Sequence, residues 1–129
     1  MTHRIPSIEP LPDGTSRPFW SVMIPAFNAG DFLRETLRSV LTQDPGLKQM
    51  QIEVIDDASP DSQARQIVSE LAGERVAFHR NKQNLGIAGN WNECIRRARG
   101  QVVYLLHQDD LVEQGFFERL HAGLGTAPQ

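Results

Sequence analysis

Between Gln101 and Leu111 the chain reads QVVYLLHQDDL, and no other stretch narrows its folding choices as sharply. Val102, Val103, Tyr104, Leu105 and Leu106 form an apolar run of strand formers, which suits a strand covered on both faces, as in a parallel sheet between helices. The run stops abruptly at His107, Gln108, Asp109 and Asp110. Open α/β sheets bind ligands beyond the carboxyl ends of their strands, so these two adjacent carboxylates stand at a ligand-binding edge. Like charges held together repel unless a cation or donor groups offset them, and a divalent metal ion is the natural partner.

The rest of the chain alternates in the same style. Trp20 to Ile24 reads as a first strand ended by Pro25, and the turn Ala26 to Gly30 leads into an amphipathic helix from about Asp31 to Gln43. Leu33, Leu37, Val40 and Leu41 form its apolar stripe, with Asp31 as the expected N-cap. After the break at Asp44-Pro45-Gly46, a second strand with Ile52, Val54 and Ile55 ends on a second acidic pair, Asp56-Asp57. Ser59 and Pro60 then read as the N-cap and first residue of a second helix striped by Ala64, Ile67, Val68 and Leu71. Arg75 to His79 makes a third strand, 81–86 a polar loop, and Trp91, Cys94, Ile95 and Ala98 a third helix closed by Gly100. Phe116, Phe117, Leu120 and Leu124 stripe a fourth helix after the QVVYLLHQDDL strand. Four strand–helix units in succession imply an α/β fold, a three-layer sandwich with a mainly parallel sheet. Its three strand ends at Pro25 to Phe27, Asp56-Asp57 and 107–110 should converge on one edge.

Composition removes several function classes. With 129 residues, a net charge of −3 and 40% hydrophobic residues, the chain can bury a core and presents no global basic field for nucleic acid. The basic cluster Arg96, Arg97 and Arg99 reads as a solvated helix face. One cysteine, Cys94, excludes an internal disulfide and a cysteine-built zinc cage. No apolar run approaches the roughly 20 residues of a membrane span, which leads us to expect a cytoplasmic protein. Residues 1–18, with Pro6, Pro10, Pro12, Gly14 and Pro18, read as an extended or disordered leader before a folded part from 19 to 129.

Glycine-rich phosphate loops are missing: there is no GxGxxG after the first strand and no GxxxxGK[ST]. A divalent cation at Asp110, with Asp109 beside it, can neutralise nucleotide phosphates instead. Four strings, SVMIPAFN (21–28), VIDDASPD (54–61), NLGIAGNWN (84–92) and VVYLLHQDD (102–110), together resemble the ordered motifs of family 2 glycosyltransferases of the GT-A fold. The resemblance implies the Rossmann-like, nucleotide-sugar-binding half of a GT-A domain over 19–129, shortened at its C-terminus. It also implies a nucleotide-diphospho-sugar donor, a divalent metal (Mn or Mg), inversion at the anomeric carbon, and a saccharide, lipid-linked or other hydroxyl acceptor.

Carried over by residue, the resemblance puts Pro25 and Phe27 against the base, Asp57 on a base or ribose donor, and Asn84 and Gly86 near the nucleotide. Asp109 faces ribose or diphosphate, and Asp110 is the metal ligand. His107 departs from the pattern, standing where the first acid of the DxD-like motif usually lies. Segments bearing the acceptor site and the general base follow that motif in the family, so the 129 residues alone are expected to transfer little. Peripheral membrane attachment through such segments, and self-association through an apolar edge, are further expectations.

Plainer readings stand beside these. Asp56-Asp57 and Asp109-Asp110 can each be a turn whose acids favour a helix N-terminus. Asn84 and Gly86 can do no more than close a tight turn. A noncatalytic nucleotide-binding fragment is the alternative function, and a receiver-like phosphoacceptor domain, suggested by Asp56-Asp57, a more distant one.

Overall fold

The computed structural model describes residues 17–60 and 63–126. The elements run β1 (Trp20–Ala26), α1 (Asp31–Leu41), β2 (Met50–Asp56), α2 (Ala64–Ala72), β3 (Ala77–Arg80), α3 (Gly86–Arg97), β4 (Val102–Leu105) and α4 (Phe116–Thr126). Most of the expected leader, residues 1–16, lies outside the described residues. The strands form one sheet in the order β3-β2-β1-β4, and every pairing is parallel. The α/β three-layer architecture is therefore the one the alternation implies.

Side-chain alternation along β1 and β2 divides the core. Trp20, Val22, Ile24, Met50, Ile52 and Val54 pack with residues of α1, α2 and α4, whereas Met23 and Ile55 pack with Cys94 and Ala98 of the α3 layer. On α1, Leu33, Leu37 and Val40 fall on one face and are fully buried, each contributing about 1.5–3 kcal/mol relative to exposure. Burial also pushes the Cys94 thiol up to about 12, with Glu53 and Glu93 adding to the effect.

The layer under α3 is held by polar groups as well. Gln51 and Glu53 on β2 and Ser21 on β1 are all buried. Gln51 Nε2 donates to Glu53 Oε1 and to the Arg97 carbonyl, Ser21 Oγ accepts the Gly100 N–H at 2.7 Å, and Arg97 Nε donates to Glu53 Oε2 at 2.7 Å. Arg97 is thus a tether between α3 and β2, not part of a solvated face. Removing Arg97 would leave the buried Glu53 charge without its partner.

Three further readings need correction. The β4 side chains are only half-buried, because β4 lies at the margin of the described sheet; β1 and β2 are the fully buried strands. Helix α2 starts at Ala64, since Ser59 gives both its N–H and its hydroxyl to the Asp56 carboxylate and Ala58 sits at φ 58°, which holds 56–59 as a turn. At α1 the N-cap position is Gly30 and no side chain caps it; Asp31 is the first helical residue, where its charge still favours the dipole. Among the described residues no helix is long and apolar enough to cross a membrane.

Candidate functional site

Parallel register brings the carboxyl ends of the strands together. Ala26 pairs with Asp56 and Asp56 with Arg80, so β1, β2 and β3 end level. The pairing of β4 with β1 stops at Met23↔Leu105 although β1 runs on to Ala26, which lets the 107–110 turn lie beside the last residues of β1. A cleft of about 420 Å³ opens there, lined by Pro25, Phe27, Asp57, Asn84 and Gly86, with Trp91, His107 and Gln108 among the other walls. Phe27 is 45% exposed and Ile87 77%, so the apolar side of the cleft is open to a ligand.

Asp57 organises the floor. It is 3% exposed, and its Oδ1 accepts from Leu85 N–H at 2.8 Å and Asn81 Nδ2 at 3.0 Å, while Oδ2 accepts from Gly86 N–H at 2.9 Å. The carboxylate therefore caps the start of α3 from a strand end nearly thirty residues earlier in the chain. Gly86 adopts φ 81°, a conformation that L side chains rarely take, which is why this position in the turn holds glycine. Asn84 Nδ2 donates to the Asp57 carbonyl at 3.1 Å. Asn81 also donates to Asn90 Oδ1, and Asn90 donates to the Ile55 carbonyl, tying the start of α3 to the end of β2. Asp56, by contrast, is fully buried against Ser59, and Arg80 reaches it at 3.4 Å. Ser59 in turn accepts the Asn28 N–H at 2.7 Å, which fixes the β1 turn.

The acidic turn is positioned from α1. Thr36 and Ser39 on that helix and Gln43 in the turn just after it follow one another at intervals of three and four residues. Thr36 Oγ1 donates to the Gln108 carbonyl at 2.8 Å, Ser39 Oγ accepts the Val112 N–H at 3.2 Å, and Gln43 Nε2 donates to the Glu113 carbonyl at 2.7 Å. Gln108 Oε1 accepts the Phe27 N–H at 2.6 Å. Nothing in the apolar periodicity of α1 announces this ladder; its polar residues at helical spacing were the available signal.

The structure gathers Pro25, Phe27, Asp57, Asn84 and Gly86 at the cleft but leaves Asp109 and Asp110 off its lining. Both acids are exposed, and Asp109 Oδ1 lies 3.0 Å from His107 Nδ1. Among the described residues no three His, Cys, Asp or Glu side chains form a ready-made metal cage. Tyr104 is held above the usual phenol range by burial first and by the nearby Asp110 charge second.

Comparison with known proteins sets this geometry in context. An uncharacterised protein of Mycobacterium tuberculosis, MT1568, is 34% identical over 121 residues, covering 88% of this chain and 37% of that protein. The poly(ribitol-phosphate) beta-N-acetylglucosaminyltransferase TarP of Staphylococcus aureus is 31% identical, covering 78% of this chain and 31% of TarP. The structure of S. aureus TarS 1–349 in complex with UDP-GlcNAc superposes with a TM-score of 0.74 at 26% identity, over 82% of this chain and 31% of that one. A mannosyltransferase from Pyrobaculum calidifontis, in complex with GDP-Man and Mn²⁺, gives a TM-score of 0.63 at 27% identity, over 78% of this chain and 30% of that one. The chain thus spans about a third of the length of these relatives, and its parallel sheet has the GT-A, Rossmann-like architecture of the TarS structure. A receiver-like identity for Asp56-Asp57 falls away with that kinship and with the burial of Asp56. The family model for glycosyl transferase family 2 matches residues 21–127, and the chain belongs to that family.

Proposed function

We propose that this chain binds a nucleotide-diphospho-sugar in the cleft beside α3, with a divalent cation at Asp110, as the donor-binding part of a glycosyltransferase. The observation that carries the reading is the convergence of Pro25, Phe27, Asp57, Asn84 and Gly86 on one cleft. Phe27, Ile87 and Trp91 offer apolar faces on which a base can stack. Asp57 Oδ2 accepts a single hydrogen bond among the described residues, from Gly86, which leaves it capacity for a base N–H or a ribose hydroxyl.

Asp109 and Asp110 fit a hard cation that draws its remaining ligands from phosphate and water, because Mg²⁺ and Mn²⁺ are commonly held by one or two carboxylates plus substrate phosphates. When bound, such an ion offsets the charge that develops on the diphosphate leaving group. An acceptor hydroxyl, on a saccharide, a lipid-linked sugar or another alcohol, would attack from the opposite face of the sugar and invert the anomeric centre. The TarS and mannosyltransferase complexes make UDP, GDP and Mn²⁺ the first ligands to test.

Among the described residues Asp57 is the one carboxylate lining the cleft, and it is committed to the start of α3, so we assign no general base. That commitment favours a second reading, in which the chain holds the donor without transferring the sugar; turnover of a UDP-sugar by this chain would overturn it. Trp91 lines the cleft while Trp20 is buried, so indole fluorescence reports occupancy. Titration with UDP and Mn²⁺ should quench Trp91, and Asp110→Ala should weaken the Mn²⁺-dependent binding about tenfold, the equivalent of roughly 1.4 kcal/mol. No binding by the native chain, or unchanged binding by Asp110→Ala, rejects the proposal.

A further inference from the structure

The side-chain amide of Gln108 has a fixed orientation. Its Oε1 accepts the Phe27 N–H at 2.6 Å, and an N–H donor can face only the oxygen end of an amide, so this bond determines which way the group is flipped. The backbone of Gln108 is anchored independently through its carbonyl, which accepts from the fully buried Thr36. The nitrogen end, with two hydrogens, makes no hydrogen bond among the described residues, and Gln108 lines the cleft.

We propose that Gln108 Nε2 is a ligand-binding donor, held in place by Phe27 and Thr36, that hydrogen-bonds an oxygen of the bound nucleotide-sugar. The inference rests on the donor-binding reading and names a contact within it. Its position specifies the chemistry. Gln108 is bonded on one side to Phe27, the proposed wall for the base, and is followed directly by Asp109 and Asp110, the proposed cation site. A ligand stretched between those two points carries its ribose hydroxyls and first phosphate past Gln108. Because Oε1 is already pinned, the amide loses little rotamer freedom when it binds.

Two variants separate donation from positioning. Gln108→Glu keeps an oxygen to accept the Phe27 N–H but removes the donor, while Gln108→Met removes both without adding charge. Trp91 fluorescence titrations with uridine, and with UDP plus Mn²⁺, should show both variants weakened about tenfold or more toward the same ligand, as expected for one lost hydrogen bond. The loss in Gln108→Glu should persist at 0.5 M NaCl, where repulsion between a solvent-accessible carboxylate and phosphate is largely screened. Weakening toward both ligands assigns the oxygen to the nucleoside; weakening toward UDP alone assigns it to a phosphate.

Three results would overturn the proposal. One is Gln108→Met binding both ligands within twofold of the native chain. Another is Gln108→Glu binding as the native chain does, since Gln108 then only positions Phe27. The third is a Gln108→Glu deficit that disappears at high salt. Absence of binding by the native chain is a different result, and it removes the donor-binding reading itself.

Discussion

Replacing Asp57 by alanine tests whether this residue is first of all a structural cap for α3. The substitution strips the acceptor from three donors: the Leu85 and Gly86 backbone N–H groups and Asn81 Nδ2. The two backbone donors are only partly buried and can turn to water, so their loss resembles the removal of an ordinary N-cap, about 0.5–2 kcal/mol. Asn81 is buried, and an unmade hydrogen bond there costs about 1–3 kcal/mol, reduced because the same nitrogen still donates to Asn90. The two contributions together predict a loss of about 2–4 kcal/mol. With a urea m-value of about 1.5 kcal/mol/M, the unfolding midpoint should fall by roughly 1.3–2.7 M. Asp57→Asn should lose less than Asp57→Ala, because an amide oxygen at the Oδ1 position keeps the Leu85 and Asn81 bonds and only the Gly86 N–H then meets a donor. Asp109→Ala, which removes an exposed carboxylate, serves as the control and should stay within about 0.5 kcal/mol of the native chain. The reasoning is refuted if Asp57→Ala unfolds at the native midpoint while its nucleotide binding is lost, since Asp57 would then be a ligand contact and not a cap.

Acid should expose the Asp44–Arg75 pair. Burial opposes ionisation of Asp44, but the two hydrogen bonds from Arg75, the Gly46 N–H and the Arg75 charge outweigh it and hold the carboxyl below its usual range. A carboxyl lowered in the folded state stabilises the fold above the unfolded pKa near 3.9 and loses that contribution as pH falls through the folded value. Asp44→Asn should therefore flatten the acid limb of a stability-versus-pH curve; an unchanged limb rejects the assignment. Gly100→Ala should destabilise the chain by about 1–3 kcal/mol or more, because a Cβ there would lie 2.6 Å from the Trp20 carbonyl carbon and 2.7 Å from Ser21 N, backbone atoms that cannot swing aside. A thermal scan showing native stability for Gly100→Ala would contradict the close approach of that turn to β1.

The alternation of the chain was legible because each unit carried its own period. Leu33, Leu37 and Val40 recur at helical spacing, and Val22, Met23 and Ile24 mark the first strand. The gathering of Phe27, Asp57, His107 and Gln108 at one edge followed from parallel topology, whereas Asp109 and Asp110 lie off the cleft lining. What stayed hidden depends on distant partners. The strand formers of β4 gave no sign that it lies at the margin of the described sheet, and Arg97 looked like its exposed neighbour Arg96 until Glu53 came within reach. The acidic pair at 56 and 57 likewise divides its work in a way no local pattern reveals: one carboxylate folds back on Ser59, the next reaches across to α3. Gln108 carried no periodic signal, and its importance rests on which backbone N–H its oxygen meets.

The ladder of Thr36, Ser39 and Gln43 has a further consequence for how the molecule opens. Because these side chains bind the 108–113 segment, the acidic turn is mechanically an appendage of α1, not of the half-buried strand that precedes it. Local unfolding proceeds in cooperative units set by such contacts, so the Asp110 and Val112 amides should exchange with solvent in step with those of α1 and not with those of β4. The Asp109 and Asp110 carboxylates and the first helix would then form a single foldon, and grafting the HQDD turn onto another scaffold would require bringing α1 along with it.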